Sequence, residues 1–289
     1  MVSLLDGLSV ISDNYDGYII DLWGVMHDGV QAFPEALDCV ARLKQAGKGI
    51  AILSNAPRRA EAVIARNADL GIAPDLADVV MSSGEDTWLH LNERPDAWYQ
   101  ALGRRCYHLG PDRDHGMREG LDYDFVERLE KADFILNTGT LAFDHTMEDY
   151  SELLEAALAL KLPMVCANPD LVVIRGGVME YCAGSVAERY EQLGGQVRSH
   201  GKPHRGVYDR CFSMMGVTDR SRIAGIGDSL RTDIAGAEAV GIASIFVADG
   251  IHRAELNVDS SGIPEPDRLK NLFSAARARP VAALPRLRW

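Results

Sequence analysis

Tyr18-Ile19-Ile20-Asp21-Leu22-Trp23-Gly24-Val25 is the stretch whose reading decides the fold. An apolar run ends in an acid, the pattern of a buried parallel strand that presents a polar group at its carboxyl end. Asp28-Gly29, soon after, is a tight-turn signal and predicts a small hairpin projecting over that strand end. Phe33-Pro34-Glu35 then opens a helix. Its apolar positions Ala36, Leu37, Val40 and Leu43 recur at helical spacing, and Gly47 closes it before the strand Gly49-Ile50-Ala51-Ile52-Leu53. A strand, helix and strand in this order make a right-handed crossover, so the strands are parallel and Asp21 and Ser54 share one edge.

Two later segments belong to the same pattern. Val197 leads into Gly201-Lys202-Pro203, and the strand Arg222-Ile223-Ala224-Gly225-Ile226 runs into Gly227-Asp228-Ser229-Leu230-Arg231-Thr232-Asp233. Taken singly these are ordinary turn or helix-cap signals. Their conjunction is informative, because capping preference does not require polar residues to follow successive predicted strands in one order. A strand-end carboxylate can attack phosphorus once a cation neutralises the charge that would repel an incoming phosphate. Asp21 and Asp228, with a main-chain carbonyl and waters, suit octahedral Mg²⁺. Lys202 offsets the remaining charge, the Ser54 hydroxyl donates to phosphoryl oxygens, and Asp233 supports the set from behind.

The alternation continues with a helix from Pro57 to Leu70, a strand from Asp78 to Ser82 and a helix from Gly84. A further α/β set follows: strand Cys106–Leu109, helix Asp124–Lys131, strand Phe134–Leu136, helix Tyr150–Leu160 and strand Pro163–Cys166. After Lys202 come a helix over Val207–Met215 and, beyond the acidic loop, a helix over Thr232–Val240 and a strand over Ala243–Val247. The 289 residues, 47% apolar and 25% charged, are ample for two globular units. Acidic residues outnumber basic ones 42 to 30, and the net charge of −12 argues against broad binding to nucleic acid or to an anionic membrane surface. Five cysteines without a CxxC spacing, and no signal-peptide pattern at the start, lead to an expected cytoplasmic location. The arginines between Arg268 and Arg288 are read as part of a packed terminal segment.

These motifs resemble the haloacid dehalogenase-like hydrolases, and within them class IIA, the branch of 4-nitrophenylphosphatase, nucleotide-phosphatase and pyridoxal-phosphatase enzymes. Val25-Met26-His27-Asp28-Gly29, Asn168-Pro169-Asp170 and Gly201-Lys202-Pro203 strengthen the likeness, which extends to about Gly250. It implies an α/β fold: a Rossmann-like parallel-sheet core, residues 1–96 and 196–289, with an inserted class II α/β cap over 97–195. It also implies Asp21 as nucleophile, with Ser54 and Lys202 as further catalytic residues. Ser54, Asn55, Asn168 and Asp170 would contact a small phosphorylated metabolite. Mg²⁺ would sit on Asp21, Asp228 and the main-chain carbonyl of Trp23, with Asp233 supporting. A homodimer is compatible with the sequence.

The chain departs from the family at Trp23. Phosphatases of the superfamily carry a second Asp there, as general acid and base; an indole donates a hydrogen bond but shuttles no proton near neutral pH. A subgroup with Asp-x-Trp-Gly-Val shares this form. Two functions therefore follow: a Mg²⁺-dependent phosphatase favouring good leaving groups, or a phosphate-ligand-binding, regulatory protein with little turnover. A receiver domain would need an acid pair at the first strand, and a nicotinamide dehydrogenase a Gly-x-Gly-x-x-Gly. Neither is present. His27 and Asp28 are candidate substitutes for the missing acid, although Asp-Gly is first a turn signal.

Overall fold

The computed structural model describes residues 2–175 and 178–289. Following the chain, β1 (Ser3–Leu4), β2 (Gly17–Ile20), α1 (Pro34–Gln45), β3 (Gly49–Ser54), α2 (Ala60–Asp69) and β4 (Val79–Ser82) come first. Next are α3 (Ser83–Glu93), α4 (Ala97–Ala101), β5 (Arg105–Leu109), β6 (Asp124–Val126), β7 (Phe134–Asn137), α5 (Ser151–Ala159), β8 (Met164–Cys166), β9 (Val172–Arg175), β10 (Val178–Tyr181), α6 (Ala183–Gln192) and β11 (Val197–Ser199). The chain then forms α7 (Arg205–Met215), β12 (Ile223–Gly227), α8 (Ala235–Val240), β13 (Ala243–Val247), α9 (Pro266–Ala276) and β14 (Ala282–Leu284).

Packing divides these elements into two units. The first holds the N-terminal segment through Ser54, Ile64–Met81 and Lys202–Trp289. Its seven-stranded sheet has the order β1-β14-β13-β12-β2-β3-β4. β2 pairs in parallel with β12 on one side and β3 on the other, Ile20 lying opposite Ile226 and Ile52. α1 follows the sequence reading: Ala36, Cys39, Val40 and Leu43 are buried, and Lys48 N–H returns to Leu43 O beside Gly47 at φ +73°. On one face Ile19, Leu53, Val207, Phe212 and Val240 pack together. A further cluster joins Phe246 to Leu269, Leu272 and Phe273 of α9. The C-terminal segment ends as β14, parallel to both β13 and β1, and Arg286 pairs with Asp249 at 2.6 Å.

The second unit, Asn55–Val63 and Ser82–Gly201, has its own five-stranded parallel sheet, β11-β8-β7-β5-β6, and an antiparallel β9–β10 ribbon. Packing draws its boundary at Ser82 instead of near residue 97, because Leu91 of α3 is buried with Tyr99, Leu102, Cys106 and Phe134. The expected helix over Asp124–Lys131 is not formed: the segment is the edge strand β6 followed by a single turn at Leu129–Lys131. Phe125 packs with Phe134 and Leu91 while its neighbour Val126 packs with Ile135 and Leu154, so adjacent side chains serve opposite sheet faces, the period of a strand. Among the described residues no helix is long and apolar enough to cross a membrane.

Candidate active site

In the first unit, parallel pairing brings the carboxyl ends of β2, β3 and β12 to one edge. Asp21 immediately follows β2, its N–H bonded to Ile226 O; Ser54 ends β3, and Asp228 follows β12. All three are buried. Asp233 joins them from a wide π-type turn over Leu230–Ile234, whose extra residue re-aims the side chain back toward the strand end. Its Oδ2 accepts the Ser229 N–H at 3.1 Å. Carboxylate oxygens of Asp21, Asp228 and Asp233 lie within 4.8 Å of one another.

Lys202 supplies the counter-charge. Its buried ammonium donates to Asp21 Oδ1 at 2.5 Å and Asp233 Oδ1 at 2.7 Å. Burial, together with the charges of Asp21 and Asp233, holds the Asp228 carboxyl well above its usual range. Three carboxyl groups facing one ammonium leave up to two negative charges in a buried site, and all the donors are hard oxygens. That set fits an oxygen-preferring divalent cation. Asp228 is fixed by the Ile251 N–H, which donates to Oδ2 at 2.7 Å. This backbone approach requires glycine: a Cβ on Gly24 or Gly250 would fall 2.2 or 2.1 Å from Asp228 Oδ2, and Gly24 stands at φ +78°. The sequence reading does not include Gly250 and Ile251; the signal for them is the carboxyl end of β13, a strand adjacent to β12.

Trp23 opens the hairpin and is partly buried. Its ring lies edge-on to His27, centroids 5.2 Å apart, and leaves no room for a Cβ on Gly29. The hairpin supplies no obvious replacement acid. His27 is buried, which pushes it down to about 4, and its Nδ1 accepts the Gly29 N–H at 3.0 Å. The ring is therefore neutral near pH 7. Asp28 Oδ1 accepts both the Val30 and Gln31 N–H groups at 2.8 Å, a turn role.

In the second unit the other three expected residues converge on one another. Asn55 Nδ2 donates to Asp170 Oδ1 at 2.9 Å, and Asp170 N–H donates to Asn168 Oδ1 at 2.9 Å. Cys166 is a packed thiol whose pKa burial pushes up to about 12, and it donates to Asn168 O at 3.2 Å.

Comparison with known proteins places these features in context. The family model described as haloacid dehalogenase-like hydrolase matches residues 18–124, and a second HAD-hydrolase-like model matches residues 199–272. A crystal structure of a haloacid dehalogenase-like hydrolase from Brucella suis 1330 superposes with a TM-score of 0.83 at 34% identity, covering 98% of this chain and 100% of that one. D-glycerol 3-phosphate phosphatase of Mycobacterium tuberculosis is 26% identical over 95% of this chain and 76% of its own length. A glycerol phosphate phosphatase from the same organism, solved in complex with calcium, shares the fold with a TM-score of 0.64 at 23% identity, covering 89% of this chain and 73% of that one.

Proposed function

Since this chain belongs to the haloacid dehalogenase-like hydrolases, in their class IIA branch, we propose that it hydrolyses the phosphoric monoester of a small metabolite through an aspartyl phosphate on Asp21. The observation that carries the reading is the buried Asp21–Lys202–Asp233 chain beside Asp228. Mg²⁺, held by Asp21, Asp228 and the Trp23 main-chain carbonyl, would supply positive charge against the phosphoryl oxygens.

The protein's own groups do the rest. Lys202 orients Asp21 and stabilises charge on the transferring phosphoryl group, while Asp233 holds the ammonium in place. Ser54 donates its hydroxyl to a phosphoryl oxygen. An Asp21 oxygen attacks phosphorus, the bond from phosphorus to the ester oxygen breaks, and the alcohol leaves with a proton taken from solvent. Water then attacks phosphorus, the bond to Asp21 breaks, and inorganic phosphate departs as the carboxylate is restored. Asn55, Asn168 and Asp170 serve substrate recognition in the inserted unit. All five cysteines are buried, and without a CxxC spacing they favour a reducing, cytoplasmic setting.

With an indole at position 23, and His27 and Asp28 both engaged in the turn, no side chain of the hairpin protonates the leaving group. Turnover therefore falls steeply as leaving-group pKa rises, and alkyl phosphates are held with little hydrolysis, the regulatory behaviour. The test is turnover of phosphates of graded leaving-group pKa, with Mg²⁺ and with chelator, beside Asp21→Asn. A steep, metal-dependent profile abolished by Asp21→Asn is expected; activity surviving that substitution would refute the assignment.

A further inference from the structure

The inserted unit contains a second cluster of metal-ligating side chains, chemically unlike the first. Asp86 and His90 lie one turn apart on α3, and His200 follows the end of β11. His90 Nδ1 is 3.4 Å from Asp86 Oδ1, and His200 Nδ1 is 2.7 Å from Asp86 Oδ2. Donor atoms of all three residues fit within 4.8 Å. The imidazole centroids are 4.5 Å apart. We propose that Asp86, His90 and His200 form a binding site for a divalent transition-metal ion of the zinc class.

Two nitrogen donors and a carboxylate suit Zn²⁺ or Co²⁺ and are a poor match for Mg²⁺ or Ca²⁺, which take oxygen ligands. The set is supported as metal ligands usually are. The buried Tyr99 hydroxyl hydrogen-bonds His200 Nε2, which turns Nδ1 toward Asp86. A hydroxyl can donate or accept, so Tyr99 supports the ring with its proton on either nitrogen. The ring can thus move its proton to Nε2 when a metal takes Nδ1. Burial raises the Tyr99 phenol, so it stays neutral and orients the ring without acting as a nucleophile. Asp86 and His200 are enclosed, while the His90 side chain keeps 22% of its surface exposed and gives an ion a way in.

Metal-stripped full-length protein titrated with Co²⁺, read by visible absorption and equilibrium dialysis, tests this. The Asp228→Asn variant weakens the acidic site of the first unit, and His90→Ala removes one nitrogen donor at a partly exposed position. Intense Co²⁺ bands of a four- or five-coordinate ion should appear in wild type and persist in Asp228→Asn. In His90→Ala they should vanish, with affinity falling by about 100-fold. Absence of such bands from wild type would overturn the site, as would bands lost in Asp228→Asn and kept in His90→Ala. His90→Gln, checked for a wild-type unfolding midpoint, guards against a folding defect. Neither readout involves phosphatase turnover, so the result stands apart from the hydrolytic reading.

Discussion

Replacing Lys202 by Met would leave Asp21, Asp228 and Asp233 crowded together without their cation. At an effective dielectric of about 20, charges 2.5–2.7 Å apart attract by roughly 6 kcal/mol per pair before desolvation is counted. The net cost of stripping one partner from a buried pair is smaller, about 3–5 kcal/mol. Its pH dependence separates charge from packing. The Asp228 carboxyl, already held above its usual range by burial and by the charges of Asp21 and Asp233, rises further above its unfolded value once the Lys202 charge is gone. Stability is then retained below the unfolded pKa and lost as pH rises through the folded one, so the deficit of Lys202→Met should be small near pH 4 and largest near pH 8. Urea unfolding in chelator at both pH values measures it. A second substitution, Asp233→Asn, should recover part of the loss at pH 8 by removing one of the stranded charges. A deficit equal at the two pH values, unrelieved by Asp233→Asn, would show that Lys202 matters as a packed stem and would refute the electrostatic account.

Trp23→Asp restores a carboxyl at the position of the missing acid, and should raise turnover of alkyl phosphates by up to about 10²–10⁴-fold while changing aryl phosphates little; a parallel leaving-group plot for the two proteins would contradict it. Gly250→Ala drives a Cβ to 2.1 Å from Asp228 Oδ2, so the Mg²⁺ concentration for half-maximal activity should rise about 10–100-fold, read from metal titrations of the initial rate. His27, depressed by burial from 6.5 to about 4, makes the folded protein refuse a proton that the unfolded chain accepts. Stability should therefore fall as pH drops through that window, by about 3 kcal/mol from this residue, and His27→Gln should flatten the decline in denaturation midpoints.

The acidic site was legible in the sequence because each of its members is tied to a regular element. Asp21, Ser54 and Asp228 end apolar runs, and parallel strands joined by crossover helices can deliver their ends to only one edge. Asp233 is one turn beyond Asp228 and needed no long-range information. The Asp124–Lys131 segment reads as a helix from sequence because an edge strand of three residues, followed by one helical turn, offers too few positions for its period to be recognised. The extent of the inserted unit was likewise hidden: α3 follows a core strand in sequence but spends its apolar face on Phe134 and Tyr99.

From the sequence alone come the parallel α/β plan, the order of its strands along the chain and the strand-end acids, since hydrophobic periodicity and connection handedness are local properties. Only tertiary packing decided that glycines 24 and 250 press backbone against Asp228, that Asn55 meets Asp170 across 115 residues of chain, and that His200 closes on Asp86 and His90. These are contacts between residues with no periodic relation to one another. They exist because burial forces every polar group drawn inside to find a partner, wherever in the chain it lies.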